Sequence, residues 1–258
     1  RESTPKLKIS VIDRGPVLDE VRARSLADQV VPTSDRALLK GVVERADLTV
    51  LACPVRVIVA ELPQLLDWCR MLTDCGSTKR EIVAAAQLAT RREQFVAGHP
   101  MAGGPQGGLA NARADLFRGQ SWLLCSEGSA LEAVRTVEEL VATLGARAVH
   151  MSAEAHDRSV ARTSHVPQIL ASALAVLVDD SDAAAAAGPG FRSATRPGGG
   201  EEAMWRDIFA SNGDEVASAL SALLSRLELV RDELAEQPAK LEAVLQLLSQ
   251  ARAARART

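Results

Sequence analysis

The pattern of the sequence changes near residue 151, and this change limits the folds that the chain can adopt. Before it, short β-branched segments alternate with stretches of helical spacing, whereas after it alanine and leucine dominate and the strand pattern does not return. Strands that alternate with helices indicate an α/β domain with a mostly parallel sheet. At 258 residues the chain also exceeds the usual size of one domain. We therefore predict an α/β domain over residues 1–150 and an all-helical domain over residues 151–258.

The same periodicities predict the individual elements. Alternating or continuous apolar character predicts strands over residues 6–13, 46–52, 121–125 and 147–151. Helical spacing predicts helices over residues 57–72, 80–93, 130–144, 214–234 and 240–253. Gly145 is expected to cap the helix that ends beside it. Residues 181–200, rich in alanine, glycine and proline, are interpreted as an interruption of the helical domain.

Composition excludes several classes of partner. The formal net charge is −3, which does not indicate a basic surface for nucleic acid. The chain has no tyrosine and four phenylalanines, so side chains on which bases could stack are scarce. The longest apolar run, residues 169–178, is about half of what a membrane span needs. We expect neither a nucleic-acid partner nor a membrane.

The cysteines and histidines show no metal-binding pattern. The four cysteines form no Cys-x-x-Cys pair, which indicates free thiols in a reducing cytoplasm. The four histidines match no ligand spacing of the His-Glu-x-x-His type. We expect a cytoplasmic protein without a metal site.

Two polar segments carry the strongest functional signal. His99 is followed by proline, methionine, alanine and two glycines, which favours a loop that holds the imidazole over a bound molecule. The segment DCGSTK at residues 74–79 lies between an apolar region and a helical pattern. Two such loops, each ending a βα unit, indicate one site at the rim of a parallel sheet. His99 is the strongest candidate for acid–base catalysis.

Other polar residues leave alternatives open. His156 lies at a helix start, where an exposed or capping role competes with a functional one. His165 lies within a helical stretch. Arg192 and Arg196 interrupt an apolar domain, where they either bind an anion such as a carboxylate substrate or form surface salt bridges.

Asp13 closes the first predicted strand and suggests a dinucleotide cofactor. In dinucleotide-binding folds, an acidic residue at the end of the second strand binds the adenosine ribose hydroxyls. Asp13 would repel a 2′-phosphate and so favours NAD, whereas Arg14 could meet a phosphate, so NADP is not excluded. The glycine-rich phosphate loop that accompanies such an acid lies about twenty residues upstream. We therefore expect the chain to begin inside the domain, with the first strand and the glycine loop missing from the sequence.

Seven segments together resemble the prephenate dehydrogenase family. They occur in the family's order and cover nearly the whole chain. The segments are DCGSTK (74–79), HPMAG (99–103), ARADLF (112–117), MSAEAHD (151–157), SHVP (164–167), GFRSATR (190–196) and WRDIF (205–209) with Asn212.

The resemblance implies a Rossmann-type nucleotide-binding domain followed by a helical dimerisation domain, hence a homodimer. It also implies NAD(P)-dependent oxidative decarboxylation of prephenate, a step of tyrosine biosynthesis. Hydride leaves C4 of the cyclohexadienyl ring for the nicotinamide, the ring carboxylate departs as CO2, and the ring aromatises.

By motif, the resemblance implies roles for individual residues. His99 would bind the C4 substituent and help to remove its proton, and Ser77 would orient His99 or the nicotinamide end of the site. Arg196 would bind a substrate carboxylate, and His165 would line the pocket, with Arg192 also assigned to the substrate. The residues that we assign to the cofactor are Asp13, Arg14, Cys53, Pro54 and Ser77.

Two departures from the family pattern leave the substrate open. Gln168 stands where the family often has a second histidine, and residues 197–200, Pro-Gly-Gly-Gly, replace a common Ile-Ala start. Prephenate, arogenate and 4-amino-4-deoxyprephenate therefore all remain candidates. A β-hydroxyacid-type dehydrogenase would need a helical lysine, and after residue 79 only Lys240 occurs. A catalytically inactive cofactor-binding protein is favoured only by the missing glycine loop.

Overall fold

Strands and helices alternate over the first part of the chain. The computed structural model describes residues 7–104 and 108–256. The strands are β1 (Ser10–Asp13), β2 (Gln29–Pro32), β3 (Thr49–Leu51), β4 (Leu72–Asp74), β5 (Phe95–Pro100), β6 (Ser121–Cys125) and β7 (Arg147–His150). The helices among them are α1 (Gly15–Ala23), α2 (Arg36–Arg45), α3 (Val55–Trp68), α4 (Arg80–Ala86) and α5 (Leu131–Thr143).

The second part of the chain is helical. Its helices are α6 (Ala153–Val160), α7 (Val166–Ala175), α8 (Ser181–Ala186), α9 (Pro189–Thr195), α10 (Glu202–Ala235) and α11 (Glu242–Arg255). A π-helical turn, Ala161–His165, joins α6 to α7, and a 3-10 turn, Arg196–Gly199, follows α9. The expected interruption over residues 181–200 is therefore wrong in part, because it contains two short helices. In the described ranges, no helix is both long and apolar enough to cross a membrane.

The strands form two sheets. β1 pairs with β2 in parallel, and the strands of the larger sheet follow the order β3-β4-β5-β6-β7. The predicted mostly parallel character is confirmed, since only β5 and β6 run antiparallel among the described strands. Because β3, β4 and β5 are parallel, their carboxyl ends meet at one edge of the sheet, which brings Asp74 close to Gly98 and His99.

One apolar core joins the two sheets. Val31 of β2 and Leu39 of α2 belong to the same buried cluster as Ile58 and Leu62 of α3 and Phe95 of β5. Full burial of one such side chain stabilises the fold by roughly 1.5–3 kcal/mol. Side-chain packing therefore holds the small sheet against the large one without strand pairing between them in the described residues.

Three strands, β2, β4 and β5, are absent from the sequence-based prediction. β4 has only three residues, and its start merges with the helical spacing of residues 57–72. The prediction that His99 lies in a loop is wrong, because His99 belongs to β5 and pairs with Leu123 of β6. Neighbouring strands override the local preference of a Gly-His-Pro sequence. The strand predicted from residue 6 begins at Ser10, and Lys6 lies outside the described residues.

Gly98 occupies a place where a side chain does not fit. A Cβ atom there would lie 2.7 Å from the backbone oxygen of Asp74, 2.9 Å from Trp122 Nε1 and 3.1 Å from Thr73 Oγ1. The first neighbour is backbone and cannot move aside without disturbing β4. The close approach of β4 and β5 therefore requires glycine beside His99.

We expect Gly98→Ala to destabilise the protein by about 1–3 kcal/mol, because overpacking forces the two strands apart. Urea unfolding of both proteins measures this change. Gly15→Ala is the matched control, since a Cβ atom at Gly15 meets nothing within 4 Å. Equal stability of Gly98→Ala and the control would contradict the argument.

Candidate active site

A buried ion pair holds the turn between β4 and α4. Asp74 Oδ1 accepts the backbone N–H of Gly98 at 3.0 Å, and Oδ2 accepts that of Gly76 at 2.8 Å. Lys79 Nζ donates to Asp74 Oδ2 and, at 2.6 Å, to the carbonyl oxygen of Gly98. The side chains of Asp74 and Lys79 are both fully buried. This network fixes the DCGSTK turn against the end of β5 and so sets the position of His99.

His99 is hydrogen-bonded to a second histidine. His99 Nδ1 lies 2.9 Å from His156 Nε2, and His156 Nδ1 lies 2.7 Å from Asp157 Oδ1. His156 is fully buried, so the alternative that it is exposed or caps the helix is wrong. Ser152 caps α6 instead, since its Oγ accepts the N–H of Ala155 at 3.1 Å. His99 itself is half-buried and reaches the edge of the sheet.

Asp157 connects α6 to the first turn of α4. Its Oδ1 accepts the backbone N–H of Lys79 at 2.7 Å, and its Oδ2 accepts that of Arg80 at 3.0 Å. Arg80 Nε also donates to Oδ2 at 3.2 Å. A carboxylate at a helix N-terminus satisfies N–H groups that lack helical partners. The residues around His99 are thus assembled from both parts of the chain.

Arg80 extends this connection to α10. Its guanidinium donates to Asp214 at 2.7 Å and to Asn212 Oδ1 at 3.0 Å. Helix α10 is kinked at Asn212, which precedes the helix predicted over residues 214–234. Asn212 Nδ2 donates to the carbonyl oxygen of Asp157 at 2.8 Å. The same Nδ2 lies 3.3 Å from His165 Nδ1. The kink therefore turns a polar side chain into the buried centre instead of along the helix.

Burial keeps the histidines of this cluster neutral. Burial, followed by the neighbouring His156, Lys79 and His165, lowers the pKa of His99 well below its ordinary value of 6.5. Burial also lowers the pKa of His156, although the hydrogen bond to Asp157 opposes it. For His165, burial lowers the pKa to about 4. At neutral pH each of the three rings can both donate and accept a hydrogen bond.

Asp157 has the opposite chemistry. Burial works against its charged form, but the hydrogen bonds from His156 and from the backbone of Arg80 and Lys79 lower its pKa. The carboxyl group is therefore ionised at neutral pH, and it can only accept hydrogen bonds.

Four of the residues assigned to the cofactor lie at the carboxyl ends of β1 and β3, and the fifth, Ser77, lies in the turn after β4. Asp13 ends β1, and Cys53 and Pro54 follow β3, with Pro54 at the start of α3. Burial, and then the carboxylates of Asp74, Glu61 and Asp13, raise the pKa of Cys53 to about 11. Cys53 is therefore a neutral thiol that lies within the electrostatic influence of Asp13 and Asp74.

This edge fits the ribose of a dinucleotide. Asp13 Oδ1 accepts the backbone N–H of Arg14 at 2.6 Å. Among the described residues this contact leaves Oδ2 available, and Oδ2 can accept a hydrogen bond from a ribose hydroxyl. A Cβ atom at Gly15 would have nothing within 4 Å, so the space beside the start of α1 is open. The side chain of Arg14 is exposed at the same place. Within residues 7–104 and 108–256, no group of three or more possible metal ligands occurs.

Three further assigned residues are not joined to this network. Ser77 is half-buried in the DCGSTK turn, but the described hydrogen-bond partner of His99 is His156. Arg192 and Arg196 are both exposed, and Arg192 donates to the carbonyl oxygen of Ala187 at 2.6 Å. The 3-10 turn that contains Arg196 packs against α7. Helix α7 directly follows the π-helical turn that carries His165.

Sequence reasoning did not connect His99 with the residues that support it. Most of their side chains are buried, and they are hydrogen-bonded across long separations in the chain, as between His99 and His156, which lies 57 positions further along. One signal was available, namely a histidine followed directly by an aspartate at the start of a helix. The supporting residues are Asp74, Lys79, Arg80, His156, Asp157 and Asn212.

Two family models match consecutive parts of the chain. Residues 1–150 match "Prephenate dehydrogenase, nucleotide-binding domain", and residues 152–249 match "Prephenate dehydrogenase, dimerization domain". The expected order of a nucleotide-binding α/β domain and a helical dimerisation domain is thus confirmed.

Individual relatives agree with these matches. The chain is 30% identical to a prephenate dehydrogenase of Bacillus subtilis over 93% of its own length and 67% of the relative's. It is 33% identical to a prephenate dehydrogenase of Lactococcus lactis, over 82% of its length and 60% of the relative's. The chain thus spans about two thirds of the length of these relatives.

A solved structure is similar over the whole chain. A prephenate dehydrogenase from A. aeolicus, in complex with hydroxyphenyl propionate and NAD+, superposes with a TM-score of 0.85 at 25% identity. The superposition covers 100% of this chain and 91% of the other. Together with the nucleotide-binding domain, this likeness supports NAD as the cofactor.

Because the pKa values of the buried histidines are lowered, we expect the folded protein to lose stability in acid. As the pH falls below 6.5, His165 takes up a proton in the unfolded chain, whereas the folded protein resists protonation until pH 4 or so. Because one pKa unit corresponds to about 1.4 kcal/mol, His165 alone removes about 3 kcal/mol of stability by pH 4. Urea unfolding between about pH 8 and pH 4 measures this loss. We expect a shallower dependence for His165→Gln, and an unchanged dependence would contradict the assignment.

Proposed function

Because the chain belongs to the prephenate dehydrogenase family, we propose that it catalyses the NAD-dependent oxidative decarboxylation of prephenate. The single observation that carries the proposal is the state of His99. This imidazole lies half-buried at the nucleotide-binding edge, neutral at physiological pH and held at Nδ1 by His156. A neutral, positioned imidazole is the group that can accept the proton of a C4 hydroxyl.

The chain's own residues divide the remaining work. Bound NAD would accept the hydride from C4 of the ring. His99 accepts the proton of the C4 hydroxyl, and Ser77, in the turn beside β4, orients the nicotinamide end of the site. Loss of CO2 and aromatisation of the ring drive the reaction forward, so the protein mainly has to align ring and cofactor.

Asp13 supports NAD as the preferred nucleotide. Its carboxylate at the end of β1 fits the ribose hydroxyls and repels a 2′-phosphate. Cys53 and Pro54 line the adjacent edge after β3. The exposed Arg14 is the group that would bind the 2′-phosphate of NADP. The activity is therefore measured with both nucleotides.

The substrate's carboxylates require cationic partners. Arg196 is exposed on the turn that packs on α7, so its guanidinium is available for a carboxylate. We assign Arg192 and His165 to the binding of the substrate as well. Arogenate and 4-amino-4-deoxyprephenate remain the alternative substrates, since these residues distinguish neither a keto from an amino side chain nor a hydroxyl from an amine at C4.

A β-hydroxyacid-type activity has less support. That chemistry needs an accessible lysine, whereas Lys79 is fully buried against Asp74. Lys240 is exposed and lies between α10 and α11, where it pairs with Glu236.

We also propose that the protein is a cytoplasmic homodimer formed through its helical part. Apolar side chains stand exposed along the last two helices, and exposed apolar surface of this kind marks protein–protein contacts. They are Leu224, Leu227, Leu229 and Leu234 on α10 and Leu245 and Leu248 on α11.

We expect the protein to reduce NAD when prephenate is added, measured as NADH absorbance. His99→Asn should lower kcat roughly 10²- to 10⁴-fold, because it removes the proton acceptor. Since the pKa of His99 lies well below 6.5, the wild-type rate should stay level from pH 8 to 6.5 and fall only in stronger acid. The panel includes arogenate, 4-amino-4-deoxyprephenate and NADP. No reduction of either nucleotide with any of the three substrates would refute the proposal.

Arg196→Gln should raise KM for prephenate roughly 10- to 100-fold, with a smaller change in kcat. A charge-assisted hydrogen bond contributes about 1.5–3 kcal/mol to binding. Steady-state kinetics give both constants. Arg206→Gln, which removes another exposed arginine, is the control and should leave KM unchanged. Equal KM values for both variants would remove Arg196 from the site.

A further inference from the structure

We propose that His156 and Asp157 are positioning residues that fix the tautomer of His99, so that its Nε2 atom is the proton acceptor. The inference rests on the proposed function, because it explains how His99 is kept ready for that chemistry. Neither residue touches the substrate in this scheme. Both act through the hydrogen bond to His99 Nδ1.

The direction of the hydrogen bonds is set at Asp157. This carboxylate carries no proton at neutral pH, so it accepts every hydrogen bond that it makes. The 2.7 Å contact between its Oδ1 and His156 Nδ1 therefore requires the proton on Nδ1 of His156. The backbone N–H groups of Lys79 and Arg80 point at the same carboxylate and hold it in place.

The second step passes this constraint to His99. His156 is fully buried and neutral, so with Nδ1 protonated its Nε2 has only a lone pair. The 2.9 Å contact with His99 Nδ1 then requires a proton on that nitrogen. His99 is neutral as well, so its Nε2 is left unprotonated and can accept a proton.

The charged surroundings favour the same arrangement. Lys79 is the cation near both rings, and it disfavours a second positive charge on His99 or His156 before substrate binds. Asp74 neutralises Lys79 directly, and Asp157 offers a negative charge one ring away. His165, from the helical part, also disfavours a positive charge on His99, and burial lowers its own pKa to about 4.

The fixed tautomer has a consequence for the reaction. Neutral imidazole exchanges between two tautomers, and the one with a proton on Nε2 can only donate at that atom. When the O–H bond of the C4 hydroxyl breaks and an N–H bond forms at Nε2, His99 becomes a cation, and it returns the proton to that oxygen when loss of CO2 turns the ring into a phenol. The hydrogen-bonded His156 and the Asp157 carboxylate behind it stabilise that cation, as the buried aspartate does in serine proteases.

Nuclear magnetic resonance of full-length protein with ¹⁵N-labelled histidine tests the proposal without any substrate. We expect His99, identified by comparison with His99→Asn, to carry its proton on Nδ1. In His156→Leu this preference should be lost, while His156→Gln should keep it, because the amide oxygen can accept from Nδ1. The control is His150→Leu, which removes an exposed histidine on β7.

Kinetics of the same variants give the second readout. We expect His156→Leu to lower kcat at least about tenfold with little change in KM, since a wrong tautomer removes the base without removing substrate contacts. His156→Gln should recover most of this loss. If His156→Leu does not fold, the tautomer of wild-type His99 decides the matter by itself.

The possible failures are distinct. A wild-type His99 with its proton on Nε2 overturns the inference, and so does a His156→Leu protein with the wild-type tautomer and kcat. Absence of turnover with every cyclohexadienyl substrate, combined with a proton on Nδ1, refutes the proposed function and leaves the role of His156 intact.

Discussion

The arrangement of the molecule depends on the hydrogen bonds to the buried carboxylate of Asp157. Removing a carboxylate from water costs several kcal/mol unless hydrogen bonds and a counter-charge replace the solvent. Here the replacements come from the backbone of Lys79 and Arg80, from the Arg80 guanidinium and from the ring of His156. These groups belong to α4 and α6, and Arg80 adds α10. Burying one charge therefore forces three helices to meet at one point.

A second buried acid completes the support from the other side. Asp74 binds Lys79, and both of them bind the backbone of Gly98. The short turn from Asp74 to Arg80 is thus held by one buried carboxylate at each end. His99 lies between the two, on a strand whose neighbour approaches so closely that Gly98 has no room for a side chain. The position of the imidazole follows from these constraints and not from the loop that its flanking residues suggest.

The sequence allows the architecture and the central histidine to be predicted, but not the support around it. Periodicity identifies long elements such as α5, and the change near residue 151 separates the sheet from the helices. It fails for β4, whose three residues carry no period of their own, and for β5, whose last residues favour loops in isolation. The burial of His156 beside His99 escapes prediction for a different reason. Its burial and its partner depend on contacts between distant segments, and no local pattern encodes them.

The two parts of the candidate site are constrained very differently. Around His99, loss of Asp74, Lys79 or Asp157 would leave a buried partner without its counter-charge or hydrogen bonds, so these charged residues can vary little. Arg196 and the glycines after it lie outside this network, on an exposed turn that packs on α7. That turn can change without disturbing Asp157 or Asp74. Differences in the side chain of the substrate among related chains are therefore expected to be read at such turns, whereas the proton-accepting end stays the same.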